Sequence, residues 1–326
     1  MPGGLDLLVL GDCNPDLVLS GPDLAPAFGQ AERLVDAAEL TIGGSGAIMA
    51  CGAARLGLRT ALAAVVGDDL FGRFMIDALR ARGVDTGAVV VDPSVRTGLT
   101  VILARPHDRA ILTYPGAIAA LRAGAVEPEL VNRARHVHVA SFFLQTALHP
   151  GLRELLAGAR RGGASTSLDP NWDPAEVWDG GLLALLEEVD VMLPNAAEAL
   201  AIAGGDDPPE AAGRLAARGP LVAVKLGADG AVGVAPGQAP VRVGAPAIAA
   251  PVDAVGAGDA FDAGMVAALL EGRALRDALA LGCACGTLST RAAGGTEAQP
   301  SMSEARALAG EPAVAGPGPG PGAGPA

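Results

Sequence analysis

Aromatic side chains make up only 3% of this 326-residue sequence, although 50% of its residues are hydrophobic. A core with so few rings must be built from aliphatic side chains and alanine, finely packed. Basic residues are also short: 23 lysines and arginines face 36 aspartates and glutamates, a formal net charge of −13. Such a balance argues against a nucleic-acid partner, whose phosphates need a basic surface. It does not exclude a small phosphorylated ligand, which needs only a local positive field. The four cysteines, Cys13, Cys51, Cys283 and Cys285, form no Cys-x-x-Cys pair and fit reduced thiols in a cytoplasmic core. No uninterrupted apolar run reaches the roughly 18 residues of a membrane helix. The opening "MPGGLDLLVLGD" has no basic stretch ahead of its apolar run, so no signal peptide is expected. No Gly-x-x-x-x-Gly-Lys-Ser/Thr motif occurs, which excludes a P-loop kinase, and no internal repeat is apparent. The expectation is a soluble, cytoplasmic protein.

What is present is alternation. "LDLLVLGD" reads as a buried strand ending at a glycine turn, "TALAAVVG" (60–67) as a strand and "DLFGRFMIDALRARG" (69–83) as a helix ending at glycine. "HVHVAS", "ASTSLD", "DVMLPN" and "PLVAVKLG" read as further strands, with "PGLRELLAGARRGG", "GLLALLEEV" and "AAEALAIAGG" as the helices between them. Aliphatic strands alternating with helices predict an α/β fold, a mostly parallel central sheet covered on both faces. Ligands in such folds bind beyond the carboxyl ends of the strands, where "GDCN", "LDPN", "LPNAAE" and "VKLG" fall. Residues 16–41 and 97–115 break the rhythm and read as β-ribbon, a small lid with "PHDR" at a hairpin tip. The tail "GPGPGPGAGPA" (316–326) is low in complexity and is expected to be disordered.

One stretch carries chemistry. In "DAVGAGDAF" (253–261) two glycines and an alanine stand between aspartates, ahead of the apolar helical run "DAGMVAALL". Gly256, Ala257 and Gly258 would form the first turn of that helix, where unpartnered N–H groups and the helix dipole suit a phosphate. Asp259 would sit beside the bound anion, an odd place for a carboxylate unless it accepts a proton from an attacking alcohol. An anion cradle next to a base is what phosphoryl transfer requires. The plainer reading is a glycine loop with Asp259 as a helix cap.

The pattern closely resembles the second signature of the ribokinase-like (PfkB) carbohydrate kinases, Asp-x-x-Gly-Ala-Gly-Asp-x-Phe before a helix. The first signature is present as "GGSGAIMACGAARLG" (43–57), with "GDCNPD" before it and "DPN", "PNAAE" and "KLGADG" between the two signatures, in that family's order. The resemblance covers about residues 5–300. It implies a ribokinase-like three-layer sandwich over 1–310, with a β lid from about 13–41 and 95–116 and a disordered tail over 311–326. It implies Asp259 as catalytic base and Gly256, Ala257 and Gly258 as the anion hole. Asn14, Asp16, Gly43, Gly44 and Ser45 fall where relatives grip sugar hydroxyls. Asn195 and Glu198 match an Asn-x-x-Glu motif holding Mg2+ and phosphate largely through water. Lys225, Gly227 and Gly230 lie where the nucleotide approaches, with Lys225 in place of a common threonine, able to meet phosphate as a point charge. Asp253 resembles the aspartate that helps bind an activating monovalent cation, K+. The implied ligands are a sugar, ATP and Mg2+, and lid ribbons in this family often pair in a homodimer.

Three positions depart from the family's pattern. Ile48 stands where many relatives carry a substrate-contacting asparagine, Ala254 replaces a frequent threonine, and Asp173 replaces an arginine, which argues against a carboxylated sugar. Other signals are read structurally. His136 and His138 share a strand face but lack a third metal ligand nearby in sequence. "GGSGA" approaches the Gly-x-Ser-x-Gly nucleophile elbow of α/β hydrolases, yet "LVDAAELT" before it is polar and alternating rather than a buried strand. Trp172 and Trp178 are expected to pack, and Arg105 and Arg109 to be solvated. The expected function is ATP-dependent phosphorylation of a hydroxymethyl group on a small sugar. A nucleoside kinase and a non-catalytic sugar sensor are the alternatives.

Overall fold

A computed structural model describes residues 4–310 except positions 22, 27, 106, 107, 249 and 250. The opening aliphatic run forms β1 (Leu5–Leu10), every residue of it buried. Two strands follow, β2 (Asn14–Ser20) and β3 (Ala37–Gly43), and then α1 (Ser45–Arg55), β4 (Thr60–Gly67), α2 (Leu70–Ala81) and β5 (Asp85–Asp92). The chain continues through β6 (Leu99–Arg105), β7 (Asp108–Tyr114), α3 (Pro128–Arg133), β8 (Ala134–Val139), α4 (His149–Arg161) and β9 (Ser165–Leu168). Next come α5 (Leu182–Leu185), β10 (Val191–Met192), α6 (Ala196–Ala203), α7 (Pro208–Ala216) and β11 (Leu221–Lys225). It ends with β12 (Ala231–Val234), β13 (Val241–Val243), α8 (Ala257–Leu270), α9 (Leu275–Ser289) and α10 (Met302–Leu308).

Nine strands make one sheet in the order β13-β12-β11-β10-β9-β8-β1-β4-β5. From β11 to β5 every pairing is parallel, and β12 and β13 add an antiparallel edge. Alternation along the central strands divides the core in two. Leu8 and Leu10 pack with α3, α4, α5, α6 and α7, while Leu7 and Val9 face α1, α2, α8, α9 and α10. This is the expected sandwich of helices on both faces. Strand β4 covers the expected span, and α2 starts where Asp69 accepts a hydrogen bond from the Gly72 N–H, an N-cap. "GLLALLEEV" is shorter than a full helix: α5 runs into a 3-10 turn at Leu186–Glu188.

The second sheet, order β3-β2-β6-β7, is the anticipated lid. Its outer pairs are antiparallel and its central pair, β2 with β6, is parallel. Arg105 stands opposite Asp108 across the hairpin, whose tip residues 106 and 107 lie outside the described residues, as does the tail from 311. No helix among the described residues is long and apolar enough to cross a membrane.

Closely fitted helices follow from the small residues. On α8 a Cβ at Gly264 would reach within 2.7 Å of the Cys285 Sγ on α9, and one at Gly282 on α9 within 2.9 Å of the Phe261 ring. All four cysteines are free and buried, as expected. Leu8, with no exposed surface at the centre of the sheet, tests the core: Leu8→Ala is expected to destabilise folding by about 2–5 kcal/mol, read from denaturant unfolding.

Candidate active site

The parallel strands end at one rim, and five of the seven contribute a polar residue there. Asp12 follows β1, Ser141 follows β8, Asp169 and Asn171 follow β9, Asn195 follows β10, and Lys225 closes β11. The helix starts meet them. Gly256, at φ 72°, is the N-cap of α8, and a Cβ there would come within 2.7 Å of the Gly295 Cα and 2.9 Å of the Ile48 Cγ2. Only glycine suits both the left-handed backbone and that contact. Gly256, Ala257, Gly258 and Asp259 are half-buried, so the corner is open to solvent and not sealed.

Behind the corner lies a compact set of charges. Lys225 Nζ is 2.6 Å from Asp169 Oδ2 and 3.2 Å from each oxygen of Asp262. Carboxylate oxygens of Asp169, Asp259 and Asp262 lie within 4.8 Å of one another, a spacing able to hold a cation; the Lys225 ammonium already supplies a positive charge there. Burial pushes the Asp259 carboxyl up to about 8, with repulsion from Asp169 adding to it and Lys225 and a hydrogen bond to Ser45 opposing. Burial also holds Asp262 well above the usual carboxylate range. Asp169, equally buried, is brought below that range by Lys225. Glu198 rises to about 7 through burial and the nearby Asp169.

The residues expected to grip a sugar sit beside this cluster. Ser45 begins α1, and its hydroxyl receives a hydrogen bond from Asn171 Nδ2 at 3.2 Å. Asn171 Nδ2 also reaches Ser141 Oγ at 3.0 Å, and Ser141 Oγ donates to Asp12 Oδ1. Asp12 accepts from the N–H groups of Ser45 and Gly46, closing the start of α1. Ser141 and Asn171 both hold positive φ, 54° and 55°, a strained backbone that clusters at functional positions. On the lid, Asn14 is paired across strands with Gly43 and donates to Thr100 Oγ1 at 3.3 Å. A Cβ at Gly43 would overlap the Asp16 carboxyl, so this glycine makes room for that side chain. Gly44, at φ 81°, turns the chain from β3 into α1. The Ser45 hydroxyl thus follows a lid strand, and no histidine is among its recorded partners, so the hydrolase reading has no support.

Several expected residues carry structural duties as well. Asn195 and Glu198 form a capping box: Asn195 N–H donates to Glu198 Oε2, and the Asn195 side chain accepts from the Glu198 N–H. Gly227, at φ 60°, opens a 3-10 turn, and Gly230, at φ 93°, packs where a Cβ would overlap the Val243 carbonyl. Asp253 accepts from the N–H groups of Val255 and Gly294, tying the turn before α8 to the segment after α9. Asp173 accepts from the N–H groups of Ala175, Val177 and Trp178, a loop clasp. Trp172 packs edge-on against Trp178. His136 and His138 are buried against the hydroxyls of Ser165 and Ser167, and burial lowers both rings to about 3. Arg105 is exposed, and the Arg109 side chain lies outside the described residues. Sequence reasoning did not single out Asp12, Ser141, Asp169, Asn171 or Asp262. The strand-end rule points to the first four, and Asp262 lies three residues after Asp259, on the same helix face.

The pfkB family carbohydrate kinase model matches residues 5–302. The chain belongs to that family. It is a sugar kinase, a phosphotransferase with an alcohol group as acceptor. Ribokinase of Haemophilus influenzae is 29% identical over 311 residues, covering 91% of this chain and 96% of the relative. Fructokinase of Klebsiella pneumoniae is 32% identical over 311 residues, covering 90% and 95%. An E. coli protein assigned as a ribokinase II, solved in complex with ATP and Mg2+, superposes with a TM-score of 0.81 at 24% identity over 93% of this chain and 98% of that one.

Were Asp259 to act as a base, its carboxyl, raised to about 8, would have to lose its proton first, so activity would be lost as pH falls through that value. The acid limb of kcat/KM for the kinase, which reports the free protein, is expected to have a midpoint near 8. A limb near 4, measured across a buffered series, would show that Asp259 is not the titrating group.

Proposed function

We propose that this pfkB kinase transfers the terminal phosphoryl group of ATP to a hydroxymethyl group of a small neutral sugar of the ribose or fructose kind. The observation that carries the reading is the open glycine corner at the start of α8 with Asp259 immediately after it, its proton affinity raised by burial first and by the Asp169 charge second. Asp259 takes the proton of the attacking hydroxyl, and the N–H groups of Gly256, Ala257 and Gly258 receive the phosphoryl oxygens. Asp16 and Asn14 hold sugar hydroxyls from the lid side, since a carboxylate can accept from two neighbouring hydroxyls, and Gly43, Gly44 and Ser45 complete that wall.

The nucleotide enters along the ends of β10 and β11, past Asn195, Gly227 and Gly230. Both oxygens of Glu198 already accept hydrogen bonds from Asn195, which suits contact with Mg2+ through water better than direct ligation. Bound there, Mg2+ would neutralise charge on the β- and γ-phosphates. Asp253 brings the Gly294 segment beside the turn before α8, a frame into which a monovalent cation such as K+ fits. Asp173 is turned onto backbone N–H groups where an arginine would greet a sugar acid, and that favours a neutral sugar. The aromatic contacts near the site run through Trp172, Trp178 and Phe143 packed on one another, and Trp178 and Phe143 are tucked in; the nucleoside reading gains nothing from them.

Two substitutions separate the roles. Asp259→Asn is expected to fold and bind ATP while losing a factor of ~10² to 10⁴ in turnover. Asp16→Ala is expected to lose sugar affinity while keeping ATP affinity, read by titration calorimetry with each ligand alone. Near-full activity in the first, or unchanged sugar binding in the second, overturns the assignment. A coupled ADP assay over pentoses, hexoses, sugar acids and nucleosides identifies the acceptor.

The lid supports a homodimer. Leu112 and Tyr114 on β7 are each more than half exposed, on the sheet face they share across the strand registers with the partly exposed Leu40 on β3, a grouping that a second lid would cover. Light scattering is expected to report twice the 32.2 kDa chain mass; a particle of chain mass would end this reading.

A further inference from the structure

Lys225 contacts Asp169 and Asp262 with its ammonium, and three contacts at 2.6, 3.2 and 3.2 Å are as many as its three donors can serve. Its side chain is 11% exposed, and those of Asp169 and Asp262 are 9% and 1% exposed. A phosphate could reach this ammonium only by displacing one of them. The same Nζ lies 3.5 Å from where a Cβ on Gly258 would be, directly behind the anion-hole turn. Asp262 follows Asp259 by three residues on α8, so the clasp on Asp262 also fixes the helix face that carries the base.

We propose that Lys225 is a positioning residue for phosphoryl transfer, an internal cation clasped by Asp169 and Asp262 that seats the start of α8 and offsets the carboxylates around Asp259, and not a ligand of the nucleotide. The inference rests on Asp259 being the base. The charged groups facing Asp259 come from several elements: Asp262 from its own helix, Lys225 from β11, Asp169 after β9 and Asp12 after β1, with Ser45 hydrogen-bonded to it. Glu198 on α6 acts on Lys225 and Asp169. Lys225 is the cation among those named. Removing it leaves Asp169, the carboxylate kept ionised, without its counter-charge, and the resulting repulsion favours the proton on Asp259. Removing the Asp169 charge does the reverse, because the chief competing carboxylate disappears while Lys225 stays.

The test compares Lys225→Met, Asp169→Asn and the double variant, with Asp259→Asn as control, in a coupled assay from pH 6 to 10. Lys225→Met is expected to move the acid limb of kcat/KM up by about one unit or more, so turnover near neutrality falls by about tenfold or more. The KM for ATP should stay within about threefold. Asp169→Asn, which keeps the lysine and the side-chain shape, is expected to move the limb down, and in the Lys225→Met background to recover much of the lost turnover. A KM for ATP raised about tenfold or more with an unmoved limb would make Lys225 a nucleotide ligand and overturn the proposal. An unmoved limb in Asp169→Asn overturns it too, whether or not Lys225→Met folds. If instead Asp259→Asn keeps its activity, the assignment of the base has failed, a result distinct from either.

Discussion

Four carboxyl groups, Asp169, Asp259, Asp262 and Glu198, surround one lysine at the rim of the sheet, and that crowding governs the site. Buried charges persist only when paired, because the interior gives back little of the solvation they lose. Here one ammonium cannot neutralise four carboxylates. The excess is resolved by proton retention: Asp262 is held well above its ordinary range, Glu198 rises to about 7 and Asp259 to about 8, while Asp169, closest to Lys225, is the one kept ionised. A group poised near 8 is close to the best working range for a general base at mild pH. The tuning therefore comes from burial first and from the neighbouring charges second.

Such tuning depends on distances being kept, and the helices behind the site keep them. The contact of α8 with α9 runs through Gly264, Gly282 and Gly286, and that of α8 with α1 through Gly52. Small residues at these points let helix backbones approach closely, so α8 cannot slide or rotate without losing contact along its length. The poverty in aromatic residues and the wealth in alanine and glycine thus have a use at the site. They set the height and angle at which the Gly256 corner meets the rim. Strain is stored close by, in the left-handed backbones of Ser141 and Asn171, and the hydrogen bonds linking Ser45, Asn171, Ser141 and Asp12 hold it in place.

The sequence made the layered fold legible because strand and helix periods differ, and aliphatic runs such as Leu5–Leu10 and Thr60–Gly67 admit one reading. The lid was legible as an interruption of that rhythm. Its mixed pairing, with β2 parallel to β6, was not, since strands distant in sequence declare no partner. Gly256–Asp259 could be read because glycine, dipole and carboxylate coincide within four residues. The Lys225 clasp could not be read, because its partners lie 56 and 37 positions away. An aspartate followed by Pro-Asn, or one buried in an alanine-rich helix, carries no local mark of the lysine it will meet. Asn195 and Glu198 illustrate the reverse difficulty, since a capping box and a magnesium motif share one spelling.

Ile48 shows how a departure from the family's pattern is absorbed. Its branched side chain sits against Gly256 and Gly295, and its carbonyl accepts from Gln299 at 2.8 Å. An apolar residue at this position braces the back of the anion hole, a place where a polar side chain would need a partner of its own. What α1 gains in packing it gives up in polar reach toward a sugar. On the proposed function, the polar groups that would face the acceptor are those of the lid strands and the start of α1, Asn14, Asp16 and Ser45, with Thr100 supporting Asn14. Gly43 leaves room for the Asp16 carboxyl, and Asn14 stands opposite that same residue, so the pairing of β2 with β3 bears on where both side chains lie. On the proposed function, discrimination among sugars is thereby moved from the helix to the register of a two-strand ribbon.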